Sequence, residues 1–287
     1  MYEVKVKITK EEFGKFEFLM FETESLQNWN LYENFDDKGY WLQGIFETDE
    51  EAWDSWRSAA HEVEDLAQPE IKKLEDEDWK ESYKDHFKPW SIGKLHWVPQ
   101  WLKGSHELEE GEEAVWLDPG MAFGTGNHAT TRLCVEQLIA YKAQCRDTAE
   151  ARIVDAGCGS GILAISASKL GFEKIAGFDI DGEAVRIAVE NAESNQVSNT
   201  NFFVGDLGRG LSEAGADCLM ANILANVLVA NAEQIRNSVA SGGWLILSGI
   251  LGSEVEEVKA HFESMGGLRD GVITLMDEWS AIRFIKD

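Results

Sequence analysis

Proline and cysteine are scarce in this 287-residue chain, with four of each, and basic side chains are half as numerous as acidic ones, 26 Lys and Arg against 52 Asp and Glu. Each scarcity excludes something. With so few prolines beside 44% hydrophobic and 27% charged residues, the composition is that of an ordinary globular protein that buries a core, not of a disordered chain. The cysteines, Cys134, Cys145, Cys158 and Cys218, form no CxxC pair and no metal-ligand spacing, which points to a reducing, cytoplasmic setting without a metal site. A formal net charge of -26 repels polyphosphates, so direct nucleic-acid contact is not expected unless a local basic patch escapes the average. A basic protein or peptide suits that sign better, although acidity can also serve solubility alone. No apolar run approaches the ~20 residues of a membrane span. The opening MYEVKVKITKEEFGKF lacks the basic start and apolar stretch of a signal peptide.

The length favours two unequal domains. At the N-terminus, Tyr2 to Ile8 alternates apolar with charged residues and Tyr40 to Phe46, entered through Gly39, is aromatic-rich, so both read as strands. Helix-like stretches lie between and after them, the second over 49–63 with Trp53, Trp56 and Ala60 on one face. Nine of the eleven tryptophans lie at or before Trp116, a concentration best explained by core packing. From Glu62 to about Phe87 the chain is highly charged and reads as a helical connector, with Leu66, Ile71, Leu74 and Trp79 as sparse apolar contacts. A strand-like stretch over 94–101 and an acidic loop over 105–113 follow. After Arg152 the pattern becomes strand and helix in alternation, with strands expected over 153–156, 174–178, 201–204, 216–221 and 244–248. That alternation implies a mainly parallel sheet with helices on both faces. A last strand over 279–285 closes it and is a candidate for an antiparallel course.

Chemistry concentrates in Val154-Asp155-Ala156-Gly157-Cys158-Gly159-Ser160-Gly161, a strand running into a glycine-rich turn and a helix beginning near Ile162. Glycines let a backbone approach a ligand closely, but a GxGxG turn alone also occurs in dehydrogenases and for purely steric reasons. The next strand ends at Asp179, about twenty residues on, where a carboxylate can accept both hydroxyls of a ribose. Helix capping falls more naturally to Asp181. Three features favour S-adenosyl-L-methionine over NAD: the turn is GxGxG rather than GxGxxG, Asp155 precedes it and can hold an amino group or order the turn, and the polar Asn222 ends the fourth strand. Ahead of the sheet, residues 117–131 form a polar, glycine-rich loop containing Phe123 and Thr125, suited to folding over a cofactor. Thr131 then begins a helix over 132–140 whose N-terminal N–H groups favour a carboxylate. His128 fits a structural hydrogen bond better than a general base.

These residues, in this order, closely resemble the bacterial ribosomal protein L-11 methyltransferases of the PrmA type. The likeness rests on Leu74-Glu75-Asp76-Glu77-Asp78-Trp79, on Leu117-Asp118-Pro119-Gly120 with Ala122-Phe123-Gly124-Thr125-Gly126, on Asp155 with Gly157-Cys158-Gly159-Ser160-Gly161-Ile162-Leu163-Ala164, and on Ala221-Asn222-Ile223-Leu224-Ala225. Two departures stand out. The family's Thr-His-Pro-Thr-Thr appears here as Asn127-His128-Ala129-Thr130-Thr131, without the rigidity of proline, and the N-terminal domain is shorter than usual.

The resemblance implies that Thr131, Gly157, Asp179 and Asn222 contact S-adenosylmethionine and that the N-terminal domain recognises the substrate; the reading of the residues themselves adds Asp155, Gly159, Phe123 and Thr125 to the cofactor set. The expected architecture is α/β: a seven-stranded Rossmann-like class I methyltransferase domain over 91–287, a helical connector over 62–90 and a small α+β, ferredoxin-like domain over 1–61. The implied reaction is methylation of lysine side chains and the N-terminal α-amine of ribosomal protein L-11 by a cytoplasmic monomer, with Asn222 positioning the amine and no strong base. Three alternatives keep the cofactor and change the role: lysine methylation of another protein, N-methylation of a small amine, and a non-catalytic ribosome-associated scaffold. An NAD-dependent oxidoreductase is the remoter alternative.

Overall fold

Strict alternation buries Val4, Val6 and Ile8 on one side of Tyr2–Ile8 and leaves Lys5 and Lys7 on the other, which makes that segment the central strand β1 of a half-buried sheet. The computed structural model describes residues 1–22, 26, 29–34, 39–63, 66–74, 88–117, 129–211 and 215–287. They fall into two units, Met1–His86 and Phe87–Asp287.

In the first unit β1 is followed by helix α1 (Lys10–Glu22), strands β2 (Trp29–Asn34) and β3 (Gly39–Phe46), helix α2 (Asp49–Glu62) and strand β4 (Glu70–Lys73). Both helices open on threonine caps. Thr9 Oγ1 accepts from Glu12 N at 3.2 Å while Glu12 Oε2 accepts from Thr9 N, and Thr48 Oγ1 accepts from Glu51 N at 3.1 Å. The strand order β2-β3-β1-β4, with every pair antiparallel, is the ferredoxin-like βαββαβ arrangement. Trp29 and Trp56 are buried in its core, tilted against each other at 6.4 Å.

Strand β4 corrects the expected helical connector. Residues 70–73 are rich in Glu and Lys and favour helix locally, yet they pair with β1 from Tyr2↔Lys73 to Lys5↔Glu70. Ladder hydrogen bonds along what would be an open edge of β1 override that propensity. The first sheet therefore takes a strand from beyond residue 61. Trp79 and the rest of 75–87 lie outside the described residues.

The second unit begins with a three-stranded sheet of β5 (Trp90–Ile92), β6 (Leu95–Pro99) and β7 (Glu113–Leu117), the last parallel to β6. The strand expected over 94–101 is thus β6 followed by a short helical turn, Gln100–Leu102. Trp97 anchors this sheet: it is fully buried, stacked on Trp90 at 4.0 Å, and its Nε1 donates to Ser166 Oγ at 2.9 Å.

Helix α3 (Ala129–Gln144) then leads into β8 (Arg152–Ala156), α4 (Ile162–Lys169), β9 (Lys174–Asp179), α5 (Gly182–Ser194), β10 (Thr200–Val204), α6 (Leu207–Gly210) and β11 (Ala216–Asn222). The chain closes with α7 (Ala225–Ala230), α8 (Ala232–Asn237), β12 (Val239–Leu251), α9 (Val255–Ser264), β13 (Leu268–Met276) and β14 (Trp279–Lys286). The seven-stranded sheet has the order β10-β9-β8-β11-β12-β14-β13, parallel except for β14, which runs antiparallel to both neighbours. One apolar cluster packs α3 and α4 on one face of the sheet, and a second packs α7, α8 and α9 on the other. Strand order reverses between β8 and β11, and in open α/β sheets ligands bind at the carboxyl ends of the strands flanking such a reversal.

Candidate functional site

At that reversal β8 and β11 run side by side, Asp155 level with Met220 and Ala156 with Ala221. The next residue on each strand is therefore Gly157 on one and Asn222 on the other. Asn222 is half-buried and lies level with Ser248 of β12.

The turn after β8 is held from several sides. Gly157 N and Cys158 N both donate to Phe178 O at 2.9 Å, and Asn191 Nδ2 donates to Ser160 O at 2.9 Å. Gly157, Gly159 and Gly161 all have positive φ, at 72°, 50° and 78°. Glycine is needed there for conformation, and at two of the three also for packing. A Cβ on Gly161 would lie 2.9 Å from both Ala188 Cβ and Phe202 Cζ, and one on Gly157 would lie 2.4 Å from Ile223 Cγ2. The space beside Gly157 is thus filled by protein rather than left to a ligand.

Asp179 ends β9 and uses one bond at each oxygen: Oδ2 accepts from Gly159 N at 2.9 Å and Oδ1 from Asp181 N at 3.0 Å. A carboxylate has about four lone-pair sites, so two remain for a ligand. Asp181 caps α5, its Oδ1 accepting from Glu183 N at 2.9 Å, so the capping role falls to it as the sequence suggested. Between the two aspartates Ile180 is 76% exposed, an apolar surface that sequence reasoning passed over although an isoleucine between two acids was its signal.

Asp155 is 1% exposed, and its Oδ2 accepts from Ala164 N at 3.1 Å. Burial pushes its carboxyl up to about 7; the Asp179 charge adds to the rise and the Ala164 N–H opposes it. The Cys158 thiol is likewise pushed up by burial, beside the same two carboxylates, so it is a packed thiol and not a nucleophile.

Helix α3 starts at Ala129, three residues before the start expected at 132, because Ala129, Thr130 and Thr131 are all buried and anchor the first turn. Thr131 is 1% exposed, and its hydroxyl is buried without a hydrogen-bond partner among the described residues. An unpaired buried hydroxyl costs stability unless a ligand uses it. Phe123, Thr125 and His128 lie outside the described residues. No group of three metal-ligating side chains gathers among the described residues.

Comparison with known proteins agrees with this fold. The family described as "Ribosomal protein L11 methyltransferase (PrmA)" matches residues 6–287. The protein named Ribosomal protein L11 methyltransferase in Azotobacter vinelandii is 40% identical over 223 residues, covering 77% of this chain and 73% of its own length. Its namesake in Pseudomonas aeruginosa is 42% identical over 202 residues, 70% of this chain, and the match takes in 65% of that relative's length. Among solved structures, the ribosomal protein L11 methylase of Lactobacillus delbrueckii subsp. bulgaricus superposes with a TM-score of 0.61 at 26% identity, over 70% of this chain and 100% of that one. With the family match running almost end to end, the chain belongs to the ribosomal protein L11 methyltransferase family.

Proposed function

We propose that this protein transfers methyl groups from S-adenosyl-L-methionine to amines of ribosomal protein L11, namely lysine side chains and the N-terminal α-amine. The observation that carries the reading is the seam between β8 and β11, where a glycine turn suited to an adenosine ligand and the carboxamide of Asn222 follow matched positions of paired strands.

The residues present fit the cofactor. Asp179 keeps two acceptor sites for ribose hydroxyls, and the exposed Ile180 beside it offers an apolar face to the base. Asp155 offers a buried carboxylate to the ligand's amino group. The unpartnered Thr131 hydroxyl, with the N–H groups of the first turn of α3, suits the ligand's carboxylate. Gly157 and Gly159 shape the turn, and Phe123 and Thr125, outside the described residues, complete the set of cofactor contacts in this reading. When bound, the cofactor supplies a methyl carbon made electrophilic by its sulfonium.

Only a neutral amine carries the lone pair that attacks. Lysine titrates near ~10.4 and an α-amine near ~7.7–8.0, so the site must favour the neutral form by desolvation. Asn222 accepts an amine hydrogen through its side-chain oxygen and aims the lone pair, so acceleration comes from positioning rather than from a strong base. The unit Met1–His86 recognises the protein substrate in this reading. The acidic first turn of α2, Asp49, Glu50 and Glu51, and the overall charge of -26 suit a basic partner and argue against direct nucleic-acid contact; a cytoplasmic monomer completes the reading. No helix among the described residues is long and apolar enough to cross a membrane.

The test is to incubate the protein with S-adenosylmethionine and L11 from the same source and weigh the intact product. Mass gains in steps of one methyl group are expected; an unchanged mass with cofactor demonstrably bound sinks the substrate assignment. A second prediction concerns Thr131→Val, which removes the unpaired hydroxyl while keeping the shape. The ligand-free protein should melt no lower than wild type, while cofactor affinity falls about tenfold, one charge-assisted hydrogen bond. Equal affinity by calorimetry would remove Thr131 from the site.

A further inference from the structure

Ile223 lies between the two halves of the site and touches a glycine on each side. A Cβ on Gly157, in the cofactor turn, would fall 2.4 Å from Ile223 Cγ2. A Cβ on Gly249 would fall 2.4 Å from Ile223 O, 2.9 Å from its carbonyl carbon and 3.1 Å from its N. Gly249 has φ 79° and sits where the β12–β14 register shifts between Ser248 and Ile250, so the bulge brings the backbone of β12 against the backbone of residue 223. Ile223 itself follows Asn222 directly, with Leu224 preceding α7. Its backbone is thereby set on one side by β12, and its γ-methyl is set on the other by the cofactor turn.

Building on the methyltransferase reading above, we infer that Ile223 is a positioning residue that links the cofactor turn to Asn222, so that the conformation of the Gly157 turn fixes where the acceptor amine is held. The link is steric and runs through one methyl group. Valine keeps the γ-methyl in contact with Gly157 and loses only the δ-carbon; alanine removes the contact. A Cβ on Gly157 would then lie 3.9 Å from the Cβ of residue 223, an ordinary contact.

The experiment is a double-mutant cycle on the full chain with Gly157→Ala and Ile223→Ala, plus Ile223→Val as the conservative variant. Two readouts are taken: the Kd of S-adenosylhomocysteine, which needs no acceptor, and kcat for methyl transfer to L11. Ile223→Ala should lower kcat about tenfold or more with Kd changed less than threefold, because an ångström-scale misplacement of the acceptor acts on turnover. Ile223→Val should keep both near wild type. Gly157→Ala should weaken binding and lower kcat, and adding Ile223→Ala should restore part of the binding. The φ strain of alanine at 157 is present in both backgrounds and cancels in the cycle. Additive effects on Kd, or an unchanged kcat in Ile223→Ala, overturn the link. If the wild type methylates nothing, the proposed function fails by itself, while the binding cycle still decides whether Gly157 and Ile223 are coupled.

Discussion

Asp179→Ala is expected to weaken S-adenosylmethionine binding by about two to three orders of magnitude while leaving the fold in place. The expectation follows from what each oxygen does. Both already order the backbone, through Gly159 N and Asp181 N, and each keeps acceptor capacity beyond that one bond. Losing two charge-assisted hydrogen bonds to ribose hydroxyls costs about 3–4 kcal/mol of binding. The two backbone N–H groups left behind are near solvent, since Asp179 is only half-buried, so water replaces their partner and stability falls by about 1 kcal/mol. Because the ribose is common to both, S-adenosylhomocysteine must lose the same factor. Asp179→Asn keeps one acceptor oxygen and should fall between. Calorimetric affinities within threefold of wild type would move the ribose elsewhere.

The sequence made this residue legible for a physical reason. A parallel strand buried on both faces reads as a short apolar run, and the residue that ends it, if acidic and followed by a helix cap, announces itself. Asp179 and Asn222 end such runs, on β9 and β11, and Asp155 stands one residue before the end of β8. Strand β10, the antiparallel closing strand β14 and the core of β12 were equally visible. Elements that owe their form to distant partners were not.

Strand β4 looks helical until β1 stands beside it. Strand β7 was hidden behind an acidic loop, and its Trp116 backbone is gripped by Asn195, whose Oδ1 accepts from Trp116 N and whose Nδ2 donates to Trp116 O, both at 2.7 Å. Strands β2 and β13 lie at sheet edges, as the more apolar β10 does, and polar residues and glycine interrupt them, Asn30 and Asn34 in one and Asp270 and Gly271 in the other. In the site, the glycines were visible but part of their reason was not. The GxGxG turn reads equally as ligand approach or as steric need, and only the structure names the steric partners: Gly157 makes room for Ile223 and Gly161 for Ala188 and Phe202. Such clearances arise from chain segments dozens of residues apart, which no local pattern encodes.

The buried carboxyl of Asp155 gives the other large expectation, because one substitution should move stability and binding in opposite directions. In the folded, ligand-free protein it holds its proton up to about 7, chiefly through burial. In the unfolded chain the same group titrates near ~3.9. Between those values the native state binds more protons than the unfolded state, so stability falls as pH rises through that window, by about 4 kcal/mol in all. The carboxamide introduced by Asp155→Asn carries no titrating proton and can still accept from Ala164 N through its side-chain oxygen. Relative to wild type, Asp155→Asn should therefore gain stability steadily from pH 4 to pH 8. For a unit of roughly two hundred residues, that is a relative rise in Tm of about 8–16 °C. Other carboxylates cancel in the difference.

Binding runs the other way. Above pH 7 the ionised carboxylate stabilises a ligand amino group, whereas at pH 5.5 the wild-type group is mostly neutral and the ionic contact first requires loss of its proton. Wild-type affinity for S-adenosylmethionine should thus rise about tenfold or more from pH 5.5 to pH 8, while that of Asp155→Asn stays flat and is the weaker of the two at pH 8. S-adenosylhomocysteine keeps the amino group and lacks the sulfonium, so a shared pH dependence assigns Asp155 to the amino group and one confined to S-adenosylmethionine assigns it to the sulfonium. If the melting difference does not change with pH, the carboxyl is ionised in the folded protein throughout, and Asp155 orders the turn without storing this destabilisation.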